Sequence, residues 1–129
     1  MNLFSATSVA FVVASCADAG WQCQNPIEVA CELRACSVSE TFTPMSITVG
    51  SDGSLDVCAY SYCASDPAPT TIIANGFLTV SSANLQHENA DGVTMGADTA
   101  LISIELATGR GTAIAHAYLL PILCNRNDS

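Results

Sequence analysis

The chain has no lysine. Arg34, Arg110 and Arg126 stand against twelve acidic residues, giving a formal net charge of −9 over 129 residues. A surface of that sign repels phosphate backbones and anionic membranes, which excludes nucleic acid as a partner. It keeps the chain soluble in salty surroundings, and the other reading is a surface tuned to a basic partner. Aromatic residues are also scarce, at 6%, with Trp21 the single tryptophan. A one-domain chain with so few large side chains builds an adequate but thin core, so covalent reinforcement is favoured on stability grounds.

Catalytic signatures are missing too. There is no G-x-S-x-G turn to strain a nucleophilic serine. "GRG" at 109–111 lacks the strand-to-helix context of a phosphate loop, and "SDGSLD" at 51–56 lacks the ligand spacing and closing glutamate of a calcium loop. With two histidines and no lysine, the expectation is a protein that is not an enzyme and carries no metal or cofactor. No apolar run is long enough to span a bilayer. The longest, "LFSATSVAFVVA" at 3–14, has the length of an export signal and precedes the small-residue stretch "SCADAG". The basic residue that usually opens such a signal is missing, which points to a misplaced first methionine.

Two processing readings stay open. Ala17-Asp18-Ala19 fits A-x-A cleavage, so that 1–19 is a signal peptide, 20–124 a single domain and 125–129 a flexible tail. "VASC" at 13–16 resembles a lipobox, which would make Cys16 a lipid-bearing first residue of an outer-membrane lipoprotein. Either way Cys23, Cys31, Cys36, Cys58, Cys63 and Cys124 remain, an even set that implies an oxidising compartment, periplasmic or secreted.

Turn chemistry recurs every 8 to 12 residues between short apolar alternations, the signature of an all-β domain. Met45, Ile47 and Val49 share one face, as do Leu55, Val57 and Ala59, with "SDG" as the hairpin turn between two paired strands. Asn75-Gly76 joins "TTIIA" to "FLTVSS", and Asn89 to Gly92 joins "ANLQHE" to "VTMGA". The final pair, "ALISIELATGRGTAIAHAYLL", places Ile102, Ile104 and Leu106 inward and turns at "TGRG". Only 26–36 has the spacing for a short helix; 37–44 and 64–70 read as loops. The expected architecture is an antiparallel meander of about eight short strands closed into a small barrel, with a two-sheet sandwich as the alternative.

The pairs "CELRAC" at 31–36 and "CAYSYC" at 58–63 admit three readings. Redox chemistry wants a C-x-x-C thiolate stabilised by a helix start or a basic neighbour. Zinc could draw on four thiolates with His87 and His116, but an oxidising compartment turns such thiols into disulfides. Staples are the third reading. Six cysteines allow 15 pairings; the expected set is Cys31–Cys36, Cys58–Cys63 and Cys23–Cys124, two local clips and one clasp across the ends.

Candidate binding residues are Tyr60 and Tyr62, two apart on one strand, and His116 with Tyr118, read on one face with Ile114. Trp21-Gln22-Cys23, Cys31 with Cys36, "FTPMS" at 42–46, "CAYSYC", and Pro121 with Cys124 together resemble a group of small exported cysteine-containing proteins of unknown function from marine alphaproteobacteria. The resulting expectation is an exported, monomeric, non-catalytic binding module for a small molecule or a protein. The alternative is an acidic inhibitor or envelope interaction factor acting on a basic partner.

Overall fold

The computed structural model describes residues 20–59, 62–88, 91–115 and 118–127. Every regular element among them is a strand: β1 Gly20–Gln24, β2 Glu28–Cys31, β3 Cys36–Ser39, β4 Ser46–Val49, β5 Leu55–Ala59, β6 Tyr62–Asp66, β7 Thr70–Ala74, β8 Phe77–Glu88, β9 Thr94–Glu105, β10 Arg110–Ala115 and β11 Tyr118–Asn127. Eight of them follow one another antiparallel in the order β1, β4, β5, β6, β8, β9, β10, β11, and pairing of β11 with β1 closes the ring. The chain is therefore an all-β barrel, and the sandwich alternative does not hold. Closure leaves no open edge on the eight-strand path.

Alternation sets the interior. Ile47, Leu55, Val57, Val80, Leu85, Ile102, Ile104 and Leu120 are fully or almost fully buried. Aliphatic side chains thus fill the lumen, as an eight-stranded barrel allows. Gly50, Asp52 and Ser54 shape the turn joining β4 to β5. The Gly50 amide donates to the Ser54 carbonyl at 2.8 Å and the Gly53 amide to the Gly50 carbonyl at 2.9 Å. Asp52 Oδ1 accepts from Ser54 Oγ at 2.6 Å and from the Ser54 amide at 3.0 Å. These two bonds favour the ionised form and hold the Asp52 carboxyl below its ordinary range. A depressed folded-state value adds stability that is complete at neutral pH and fades as pH falls below about 4. Asp52→Ala is therefore expected to lower the denaturation midpoint at pH 7, with the gap to wild type closing on acidification.

Several segments differ from the sequence reading. "FLTVSS" and "ANLQHE" form one strand, β8, because a bulge rather than a turn separates them: Ser82 faces Ala100 and Leu85 faces Asp98. The extra residue shifts the inward positions from Leu78, Val80 and Ser82 to Leu85. That change of parity mimics a strand end. On the partner strand, "TMGA" and "ALISIE" run without a break through Asp98 and Thr99 as β9.

Segment 64–70 is not simply a loop, since β6 reaches Asp66. Strands β6 and β7 meet β8 with one constant offset, Ala64 facing His87 and Thr70 facing Ser81, so they lie in line along it. Pro67 and Pro69 lack the amides that would continue the ladder between them. A side-chain bond spans this gap, with buried Ser82 donating from Oγ to Asp66 Oδ2 at 2.6 Å.

The last hairpin also departs from expectation. Its turn lies at Leu106–Gly109, and Arg110 already belongs to β10. The returning segment is split into β10 and β11, with Ala115 opposite Tyr118. Ala113 and Ala115 face inward while Ile114 is exposed, so Ile114 does not mark the buried face. Asn125, Arg126 and Asn127 extend β11 opposite Gln22, Trp21 and Gly20, so the strand runs into the segment read as a tail. Finally, 26–36 holds no helix: β2 and β3 form a hairpin, and β3 occupies the start of the presumed 37–44 loop.

Candidate functional site

All three expected disulfides are present, and each is a rung between directly opposed residues: Cys23–Cys124, Cys31–Cys36 and Cys58–Cys63. Their surroundings differ. Cys23 and Cys124 are buried in the lumen, where they join the first and last strands. Cys58 is half-buried and Cys63 exposed, so that rung lies on the barrel's outside, bracketing the connection from β5 to β6. "CAYSYC" is accordingly clipped by a disulfide where β5 meets β6.

"CELRAC" uses the same device away from the barrel. The excursion between β1 and β4 is bolted at its base by buried Asn25, whose Nδ2 donates to the Ile27 carbonyl at 2.8 Å and whose Oδ1 accepts from the Met45 amide at 2.7 Å. From there β2 and β3 form a hairpin beside the start of β11, where among the described residues Ala30 stands opposite Tyr118. No residue of this hairpin is fully buried. The Cys31–Cys36 rung and a 2.8 Å bond from the Glu32 amide to the Ala35 carbonyl close its end. At the tip Leu33 is fully exposed, and Arg34 beside it has no ion-pair partner among the described residues. The other two arginines are engaged: Arg110 with Glu105 at 3.7 Å, and Arg126 over the Trp21 ring at 5.5 Å.

A second feature occupies the outer wall. Leu101, Ile114 and Leu119 face one another in a row across β9, β10 and β11, all exposed. Beyond an intervening row of Thr79, Ser103, Thr112 and Pro121, a further outward row runs Phe77, Glu105, Arg110, Leu123, with the ion pair flanked by exposed apolar side chains. Exposed apolar rows of this kind make the wall a candidate contact surface.

Of the binding residues singled out from sequence, only Tyr118 has a described side chain. Tyr60, His116 and Cys16 lie outside the described residues, as does 1–19. The Tyr62 main chain pairs with Ala59 in the clipped hairpin. Tyr118 is half-buried against the core at the point where β2 meets β11, which makes it a junction residue. Trp21 is buried beneath Arg126. His87 is half-buried on β8, opposite Ala64 and Gly96. Among the described residues no group of three or more His, Cys, Asp or Glu is placed to hold a metal ion, and no helix is long and apolar enough to cross a membrane.

Leu33 and Arg34 were not among the expected residues, although a signal for them exists. Four residues closed by a disulfide cannot fold back over one another, so a leucine among them is buried only where another segment covers it, and among the described residues none does here. Fold and surface together define a disulfide-closed antiparallel barrel with an added, clipped hairpin beside β11. No family model, curated protein or solved structure matches the chain.

Proposed function

We propose that the protein is an exported, non-catalytic binding module whose recognition element is the clipped hairpin at 28–39. The observation that carries this reading is fully exposed Leu33 at a covalently closed tip. Displaying a large apolar group in water has no folding benefit, whereas a partner's pocket recovers its burial, about 1.5–3 kcal/mol for a leucine. The disulfide limits the ordering cost on binding, and loops presented by a rigid scaffold commonly carry recognition. Filled with aliphatic side chains, the lumen favours a partner that meets the outside over a small molecule held within. Three disulfides are compatible with an oxidising, extracytoplasmic location such as the periplasm or envelope.

A photo-crosslinking residue placed at 33, and separately at exposed Ser65 on β6, across the ring from β11, tests the reading in producing cells. The expected result is a discrete adduct from position 33 alone, competed away by purified wild-type domain and not by Leu33→Asp. Equal labelling from both positions would overturn it.

The acidic-inhibitor alternative is favoured by one observation: two of three arginines are engaged internally, which leaves an acidic exterior. Titration with a cationic lysozyme separates the two readings. Under the alternative, binding weakens steeply with salt and tolerates Leu33→Asp.

A further inference from the structure

The outer wall of β8–β11 is self-complementary, and we propose that it is the contact face of a reversible homodimer. In cross-strand order the decisive row reads Phe77, Glu105, Arg110, Leu123, that is apolar, acid, base, apolar. A two-fold axis running along the strands between β9 and β10 carries each row onto itself in reverse order. Arg110 of one copy then meets Glu105 of the other, and Phe77 meets Leu123. In the parallel row, Leu101 meets Ile114.

Charge selects a second copy as the occupant. Molecules of formal charge −9 repel one another, so they can approach only through a face without net charge. This row supplies one: its acid and base already balance at 3.7 Å. A basic partner, which the rest of the surface would attract, finds no excess of carboxylates here. The same pair offers each copy one opposite charge in trans.

Size sets the expected strength. Four strands about 4.8 Å apart and three outward rows about 6.8 Å apart give a footprint of roughly 400 Å² per copy. That places the contact at the small, reversible end of specific interfaces, with dissociation in the tens of micromolar or above. Sequence reading expected a monomer, and dilute solutions remain so.

Sedimentation equilibrium on the 20–129 chain, from micromolar to millimolar concentration and at two salt levels, tests the proposal. The expected result is a rise toward twice the monomer mass, tightening with salt as the like charges are screened. Ile114→Asp is expected to weaken association at least about tenfold. Arg110→Glu alone should weaken it about threefold or more, and the exchange Glu105→Arg with Arg110→Glu should restore it, because the row stays self-complementary. Circular dichroism confirms that each variant folds. A mass that stays monomeric to millimolar concentration, an exchange variant that folds but does not recover, or a dimer abolished by Leu33→Asp would each overturn the assignment. The last result would move the contact to the hairpin.

Discussion

Replacing Cys23 and Cys124 together by alanine is expected to lower unfolding stability by about 4.7 kcal/mol, the loop-entropy value for a span of this size. The two residues are separated by 101 positions. Each of the other clips closes a span of 5 and is expected to be worth about 2 kcal/mol. A domain of this length has roughly 5–15 kcal/mol in total, so loss of the clasp removes a third of it or more. Lost packing adds to the effect, since both sulfurs sit in the lumen. Urea titration followed by Trp21 fluorescence measures the change, as Trp21 lies on β1 two residues from Cys23. Partial reduction and alkylation give a companion expectation. Cys63 and Cys36 are exposed, so the outer rungs should be labelled well before the clasp. A clasp that reduces first, or a double variant within about 1 kcal/mol of wild type, would contradict this.

Gly109→Ala is expected to cost about 3–5 kcal/mol, from a left-handed backbone and a steric clash acting together. Gly109 is buried, with φ of 77°. Its amide donates to the Glu105 carbonyl at 2.8 Å and its carbonyl accepts from the Cys124 amide at 2.7 Å. This turn is thereby tied to the strand that carries the clasp. A Cβ at this position would strike the Cys124 carbonyl oxygen, which is backbone and cannot swing away. Gly53 provides the control. Its φ is 89°, yet nothing lies within 4 Å of an added Cβ. Gly53→Ala should therefore show the conformational cost alone, about 1–2 kcal/mol. Equal losses at the two positions, measured by thermal or chemical denaturation, would show that the close approach to Cys124 does not matter.

Much of the barrel was readable because its turns and alternation agree. "SDG" and Asn75-Gly76 mark hairpins by their chemistry, and Met45, Ile47, Val49, Leu55 and Val57 alternate without interruption. The disulfide pattern followed from two short spans and one long one. Reading failed where parity or exposure was not what residue type suggests. Ser82 is polar yet buried, because Asp66 accepts its hydrogen bond across the proline gap. Ile114 is apolar yet exposed, while alanines fill the interior beside it. A wall with an apolar outside erases the contrast on which alternation depends. Residues 26–36 misled for another reason: the hairpin is held by Asn25, a covalent rung and pairing of Ala30 with Tyr118, none of which leaves a periodic trace. Of the surface proposed for binding, only the cysteine frame of the hairpin was visible in the sequence.

Because the clasp links the first strand, β1, to the last, β11, it also decides how the molecule responds to mechanical load. Tension applied at the two ends passes through one sulfur–sulfur bond and bypasses the ladder between them. The 101-residue span is shielded from stretching, so it cannot be drawn out as a linear thread while that bond is intact. A protease or unfolding motor that works by pulling on an end would have to admit two chain segments at once, or wait for a reductant to reach the middle of the barrel.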